Sequence, residues 1–340
     1  MSDVARSRTV GSLGAALLAG LFSGLFYGTA VLGFVFLVPV QILYGRRGQK
    51  AGSLAAAAAF VFAVAVQLVQ VRMAGGFDSA IVGAITPLKF LELAALPPAL
   101  LLGALALMNA GFWRPGTDWA RGFAGTALAA LVATPAIIAL SRNQAFLAQC
   151  ESEIGSMLGR FAAQTGSGGA GETLVSAMDV KAVMQASLVV LQSSYVSLLF
   201  VLMGGSWWMG NRLSGAGSPG RKIASPLAEY RLPYICVWPF LAAWSAVLVV
   251  TYFRIGAPWS PIAWNLAILI SLAYAVQGIG IASHLMRRWN LPRMFRICII
   301  VTAIILFCSP PFGTAFIAVL PLLGVTEVWI PYRNPKGVGA

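Results

Sequence analysis

The sequence predicts an all-α integral membrane protein that crosses the bilayer about ten times. Apolar residues make up 59% of its 340 residues and charged residues only 10%, whereas a soluble domain carries roughly 25% charged residues. A helix needs roughly 20 apolar residues to span about 30 Å of hydrocarbon, so this content supplies on the order of ten spans. We expect one membrane domain that covers residues 1–340.

The apolar runs, taken in order, predict where the helices lie. The first run, residues 11–44, is too long for one span and should fold back near residues 28–33 as two short helices. The last run, residues 297–325, carries Ser309, Pro310 and Pro311 at its middle and should split in the same way. The runs between them cover residues 51–71, 81–108 (a broken stretch), 123–140, 184–209, 234–252 and 261–285.

The positions of the basic residues predict the orientation. Cytoplasmic loops of membrane proteins hold an excess of Lys and Arg. With the N-terminus inside, 17 of the 23 basic residues lie in inner segments and five in outer segments. Both termini, and residues 45–50, 210–233 and 286–296, should therefore face the cytoplasm of a bacterial inner membrane. The net charge of +13 is spread over small loop clusters, so we expect no nucleic-acid partner.

The long outer segment, residues 142–183, should contain an amphipathic helix. Its apolar residues recur at helical spacing with polar residues between them, and glycines at 166–171 then interrupt the pattern. Two amphipathic pieces joined by a glycine hinge can form a lid over a cavity. A connector that rests on the lipid surface is the alternative.

The sequence contains no recognisable catalytic or metal-binding set. It has one histidine, His284, and four cysteines without a CxxC spacing. These residues do not supply a metal centre or an activated nucleophile. We therefore expect a protein that is not an enzyme and that carries no cofactor.

Ionisable residues inside an apolar run give the first candidate site. Lys89 and Glu92 lie three residues apart, on one helix face, between Pro87 and the pair Pro97–Pro98, and we expect these prolines to break the helix at both ends. A charged side chain in hydrocarbon is disfavoured by about 3 kcal/mol on insertion scales and tends to face a cavity or a partner. The pair is either part of a ligand site or a structural ion pair.

Other polar residues map to the same predicted outer half. Gln67, Gln70, Gln192 and Asn265 lie near span ends with aromatic residues close by. Together they suggest a small polar pocket for a compact organic ligand. The alternative for each of them is a hydrogen bond that bridges two membrane helices, which is the role we expect for Gln277.

Small residues recur every fourth position in the first span. Gly11, Ala15, Ala19 and Ser23 form one such face, and Ala16, Gly20, Gly24 and Gly28 form its neighbour. Small residues at this spacing allow helix backbones to approach closely. The first face predicts docking of a partner membrane subunit, and packing within the protein is the alternative.

Three stretches of the chain, one near the N-terminus and two near the C-terminus, resemble a known family. The N-terminal stretch PVQILYGRRGQKAG and the C-terminal stretches AVQGIGIASHLMRRWNLP and LLGVTEVWIPYR resemble the uncharacterised YybS-like bacterial membrane proteins. That family has an acidic, an aromatic and a basic residue near its C-terminus, which correspond to Glu327, Trp329 and Arg333. Its layout is similar to that of the S components of energy-coupling factor transporters.

The resemblance implies a membrane subunit that captures a small organic solute from the outer side. Since the chain has no nucleotide-binding loop, such a subunit would act with a membrane coupling subunit and ATPase subunits. The rival hypothesis is a scaffold for envelope assembly or division that is embedded in the lipid bilayer. It would act through its helix faces and its basic inner loops. A membrane-embedded enzyme is a third hypothesis, which no recognisable set of catalytic residues supports.

Overall fold

The computed structural model describes residues 2–29, 31–73, 87–113, 118–164, 179–215, 227–307 and 309–333. All regular secondary structure in these ranges is helical, as predicted. The α-helices are α1 (Ser2–Tyr27), α2 (Val38–Arg47), α3 (Gln49–Met73), α4 (Pro87–Met108), α5 (Asp118–Arg142), α6 (Gln144–Gln164), α7 (Val180–Ser214), α8 (Val237–Tyr252), α9 (Trp259–Arg288), α10 (Arg293–Phe307) and α11 (Pro310–Thr326). Short 3₁₀ helices cover Leu32–Val35, Leu227–Glu229 and Tyr234–Cys236.

Five helices in the described ranges are long and apolar enough to cross a membrane: α3, α5, α7, α8 with the turn before it, and α9. The count becomes six if α10 and α11, which are bent by 117° relative to each other, form one broken span. The predicted number of about ten spans is not confirmed. Several segments counted as spans from sequence are short helices, such as the apolar parts of α1 and α4.

The two predicted breaks at the chain ends are confirmed. The first apolar run folds as α1, a 3₁₀ turn and the short α2, and the last run is divided between α10 and α11. The expected break at Pro97 and Pro98 is wrong, because α4 continues through both prolines to Met108. Membrane helices tolerate internal proline when neighbouring groups satisfy the freed carbonyls. Pro87 begins α4, where a proline lacks no helical hydrogen bond.

The chain divides into two compact units. Unit 1 comprises residues 1–113 and 122–221, and unit 2 comprises residues 114–121 and 222–340.

In unit 1, α1 packs along α3 through glycine. A Cβ atom added at Gly20 would lie 2.5 Å from the Ala58 Cβ, and one added at Gly24 would overlap Phe62. These residue pairs advance in the same direction along both helices, so α1 and α3 run parallel. Buried alanines complete this contact: Ala16, Ala55, Ala59 and Ala63. The second small-residue face of α1 is therefore internal packing, which needs small side chains for the backbones to meet.

The short α2 returns the chain between these two helices and packs against α7. Gly48 has φ = 82° and ends α2, a left-handed conformation that glycine adopts readily. Gly45 of α2 lies against Ser214, and Gly210 of α7 lies against Gln41. The C-terminal ends of α2 and α7 and the beginning of α3 consequently lie at the same end of unit 1.

In unit 2, α9 and α11 are antiparallel and in backbone contact. A Cβ atom at Gly278 would overlap the carbonyl oxygen of Leu320, and one at Gly324 would overlap that of Tyr274. The α8 helix packs on the same part of α9, with the rings of Phe240 and Tyr274 5.4 Å apart. The α10 helix packs against α11 and contains no buried residue.

Two segments predicted as loops or surface pieces are partly helical. The predicted amphipathic helix of the outer segment corresponds to α6, whereas its glycine hinge and second piece, residues 165–178, lie outside the described residues. The predicted cytoplasmic loop, residues 210–233, begins with the last turn of α7, where Gly210, Asn211 and Ser214 are buried. Residues 216–226 of that loop lie outside the described residues.

The glycine contact between α1 and α3 predicts a position-dependent response to one added methyl group. Gly24→Ala should lower the free energy of unfolding by about 1–3 kcal/mol, because overpacking forces the helices apart. Gly14→Ala, on the same helix with nothing within 4 Å of its added Cβ, should be neutral or raise the free energy of unfolding by up to about 1 kcal/mol. Thermal unfolding of both purified variants in detergent measures the difference, and equal stabilities would contradict the packing.

Candidate functional site

Three carboxamide side chains meet inside unit 1, and we call them the carboxamide cluster: Gln41, Asn109 and Asn211. The Gln41 Nε2 donates to the Oδ1 of Asn109 at 3.0 Å and to the Oδ1 of Asn211 at 2.9 Å. The Asn109 Nδ2 donates back to the Gln41 Oε1 at 2.6 Å. The cluster thus joins α2, the end of α4, and α7.

Local sequence explains why these groups meet. Gly210 precedes Asn211 and leaves room for Gln41, whose Cβ would lie 2.5 Å from a Cβ added at that glycine. Gln41 and Asn211 are buried, and Asn109 is half-buried. Burying a carboxamide without a hydrogen bond costs roughly 1–3 kcal/mol, so the pairing offsets the transfer of these groups out of water.

One polar atom of the carboxamide cluster has no partner in the described part of the chain. The Asn211 Nδ2 is buried and makes no hydrogen bond to any described residue. If all three amides are reversed, the Asn211 Oδ1 lacks a donor instead. In either orientation, one hydrogen-bonding position of Asn211 has no partner among the described residues, and a hydroxyl, amide or carbonyl group is the chemistry that would complement it.

Unit 2 contains a second buried polar group, the C-terminal network: Gln277, Glu327 and Arg333. The Arg333 guanidinium forms a two-point ion pair with Glu327, in which its Nε lies 2.6 Å from the Glu327 Oε1. The Arg333 Nη1 also donates to the carbonyl oxygens of Ala228 at 2.9 Å and Tyr230 at 2.8 Å. Arg333 therefore fastens the C-terminal segment to the chain that precedes α8.

Gln277 closes the C-terminal network from the α9 side. Its Nε2 donates to Glu327 at 2.9 Å and to the carbonyl oxygen of Gly324 at 3.1 Å, and its Oε1 accepts from the Leu232 backbone N–H at 2.9 Å. The expected helix-bridging role of Gln277 is confirmed. Gly280 lets the chain that precedes α8 lie against α9, since a Cβ atom at position 280 would overlap the carbonyl oxygen of Leu227.

The C-terminal network has the properties of a structural lock. Both carboxylate oxygens of Glu327 and three nitrogens of Arg333 are engaged, so a ligand would have to displace existing bonds. Burial raises the pKa of the neighbouring Tyr230 phenol, and the Cys236 thiolate, once it forms at high pH, and the Asp118 carboxylate raise that pKa further. The phenol therefore stays neutral around pH 7 and adds no charge to the network.

The sequence-predicted ligand residues have separate positions. Lys89 and Glu92 lie on the first turns of α4, and their side chains are outside the described residues. Gln70 donates to the Gly28 carbonyl at 2.6 Å, and Gln67 hydrogen-bonds the Tyr27 side chain. These two glutamines hold the C-terminal end of α1.

The remaining predicted ligand residues are Gln192 and Asn265. Gln192 is half-buried on α7 in unit 1, and Asn265 is buried on α9 in unit 2 and donates to the Pro261 carbonyl at 2.8 Å. Within the described residues, no group of three His, Cys, Asp or Glu side chains could hold a metal ion.

The predicted partner-docking face is only partly accessible. Ser23 is buried, and its hydroxyl donates to the Phe36 carbonyl. Ala15 and Ala19 are half-buried, and the side-chain surroundings of position 11 lie outside the described residues. The part of this face available to another helix therefore centres on Ala15 and Ala19.

Comparison with protein families gives a match to a family described as "Predicted membrane protein (DUF2232)", over residues 72–324. The chain belongs to this family. The membership confirms the resemblance to an uncharacterised family of polytopic membrane proteins. Neither curated proteins nor solved structures give a match to the chain.

The stretches that carry the resemblance contribute residues to both buried networks. Gln41, Gln277, Glu327 and Arg333 all lie in those stretches, whereas Trp329 is exposed. The DUF2232 match includes Asn109, Asn211 and Gln277 but not Gln41, Glu327 or Arg333. Sequence reasoning missed the carboxamide cluster; the available signal was a lone amide in or directly after an apolar run.

The C-terminal network predicts a coupled response to mutation. Arg333→Met should lower the free energy of unfolding by about 3–5 kcal/mol, because it leaves Glu327 buried without a counter-charge. Arg333→Met with Glu327→Gln should lose clearly less, since no charge is stranded and the new amide can still accept from Gln277. Thermal unfolding in detergent tests this, with the exposed Arg288→Met as control. A double variant that is no more stable than Arg333→Met would refute the lock.

Proposed function

We propose that this DUF2232 member is a multi-pass protein of the bacterial inner membrane that binds a small organic solute, in the manner of an S component of an energy-coupling factor transporter. The chain is not an enzyme in this proposal. The observation that carries it is the buried carboxamide cluster with its unpartnered Asn211 amide. An open hydrogen-bonding position among apolar helices favours a polar ligand over simple packing.

The position of the carboxamide cluster refines the proposal. It lies close to Arg46 and Arg212, and the excess of basic residues predicts that this end faces the cytoplasm. A solute captured from the outer side would thus reach the cluster near the inner end of its path. Lys89 and Glu92 are proposed for the outer end, and Gln67, Gln70, Gln192 and Asn265 for support of the helices.

A scaffold of envelope assembly or division is the second candidate. It is favoured by the internal hydrogen bonds of Gln67, Gln70 and Asn265, which leave fewer polar groups for a pocket. It is also favoured by α10, a helix without a buried residue. A scaffold needs surfaces for partners and no bound solute.

Coupling and ATPase subunits are the partners that the transport proposal requires. We propose that a coupling helix docks on Ala15 and Ala19 of α1, between Gly11 and the buried Ser23 of the same small-residue face. Both alanines are half-buried and lie one position before the Ala16 and Gly20 face that packs on α3. A small-residue surface of this kind favours close approach of a second helix.

The solute proposal is tested by native mass spectrometry of full-length protein purified in a mild detergent. Wild type should retain a small organic species, and Asn211→Leu should reduce its retention about tenfold or more through loss of a buried hydrogen bond. Gln185→Leu, an exposed carboxamide on the same helix, is the matched control and should retain the species. Lys89→Met with Glu92→Gln tests the outer pair in the same assay.

The outcomes separate the two functions. Loss in Asn211→Leu with retention in Gln185→Leu supports solute binding at the carboxamide cluster. Wild type without any bound species, or equal retention in all variants, would reject that site and leave the scaffold.

The partner proposal is tested by co-purification from membranes. Ala15→Leu with Ala19→Leu should abolish retention of a membrane partner while the thermal stability stays within about 1 kcal/mol of wild type, because these side chains are only half-buried. Ala16→Leu, at a fully buried position, should instead unfold the protein. A partner that remains bound to the folded double variant would disprove docking on this face.

A further inference from the structure

Four basic side chains are brought together at one end of unit 1, and we call them the basic end: Arg46, Arg47, Lys50 and Arg212. All four are exposed. Arg46 and Arg47 occupy the last turn of α2, Lys50 the first turn of α3, and Arg212 the last turn of α7. The glycine contact of Gly45 with Ser214 and the bond from the Arg46 Nη2 to the Leu213 carbonyl at 3.3 Å hold α2 against α7.

The three helices that carry the basic end, α2, α3 and α7, contain no acidic residue of their own. Arg46, Arg47 and Arg212 are favourably placed, since cations stabilise helix C-termini. Lys50 is not, because it adds positive charge to the N-terminus of α3, where the backbone N–H groups already attract anions. A bound anion would relieve this repulsion.

The basic end lies where apolar spans begin and finish. Both α3 and α7 are long apolar helices that reach it with Gln49 and Ser214. The Arg212 guanidinium lies 5.3 Å from the centre of the Trp208 ring, and tryptophan with arginine at a span end is typical of the headgroup level of a bilayer. The anion within reach at that level is the phosphodiester of a lipid.

We propose that the basic end is a binding site for the headgroup of an anionic phospholipid. Arg46, Lys50 and Arg212 contact the phosphate, and the first N–H groups of α3 supply further donors. Basic residues directly beside membrane helices attract anionic lipids of the cytoplasmic leaflet. This site is independent of the solute proposal, because it needs only surface charge and not the Asn211 amide.

The test uses full-length protein in nanodiscs of phosphatidylcholine with added phosphatidylglycerol. Native mass spectrometry counts the lipids that remain bound. Wild type should retain phosphatidylglycerol over phosphatidylcholine, and R46Q/K50Q/R212Q should reduce that retention at least about tenfold. The matched control is R287Q/R288Q/R293Q, which removes the same charge from exposed positions in unit 2 and should change retention less than about twofold.

Each outcome decides the proposal. Equal loss in both triple variants, or no preference for phosphatidylglycerol in wild type, would show that no specific site exists. Full displacement of the lipid by soluble glycerol phosphate would indicate that the ligand is a free phosphate compound. Binding of polyglutamate without any lipid preference would indicate an acidic protein. Either result would reject an anionic phospholipid as the ligand. If R46Q/K50Q/R212Q does not fold, the double variant K50Q/R212Q is used in its place, because it keeps the hydrogen bond of Arg46 to Leu213. Loss of phosphatidylglycerol in the double variant supports the site, and unchanged retention of this lipid refutes it.

Discussion

Close contact between helix backbones at glycine positions is the constraint on which the polar architecture of this protein depends. In lipid, apolar side chains gain little from leaving hydrocarbon, so helices associate through van der Waals contact and hydrogen bonds. Gly210 admits Gln41, and Gly280 admits the chain that Arg333 holds. A Cβ atom at either position would overlap its neighbour and push the partners apart, which would lengthen and weaken these hydrogen bonds.

The two buried networks solve the same problem in different ways. The C-terminal network pairs its charges and uses nearly every donor and acceptor. The cost of burying these charges away from water is therefore offset by hydrogen bonds and the ion pair within unit 2. The carboxamide cluster is neutral and leaves one position of Asn211 unbonded among the described residues. This difference is why the first is interpreted as a lock and the second as a candidate site.

The carboxamide cluster and the basic end share elements but not chemistry. Gln41 and Arg46 lie on α2, and Asn211 and Arg212 are neighbours on α7. Buried amides distinguish ligands by hydrogen-bond geometry, whereas exposed guanidinium and ammonium groups act through charge that salt screens. One end of unit 1 thus joins a buried neutral surface to an exposed cationic one.

Composition and pattern determined that the protein is helical and lies in a membrane, because an apolar content of 59% leaves no soluble alternative. They also located the breaks near residues 28–33 and 309–311, where glycine and proline act locally. The continuity of α4 through Pro97 and Pro98 escaped prediction, since it depends on neighbouring groups that satisfy freed carbonyls.

The partners of the polar residues were decided by tertiary structure alone. Gln41 lies 68 residues from Asn109 and 170 from Asn211 along the chain, and no local periodicity connects such distant positions. The same reason explains why the sequence alone did not show that Gln67 and Gln70 contact the C-terminal end of α1. A carboxamide in an apolar helix predicts that a hydrogen bond forms there. Only the packing of the helices determines which group is its partner.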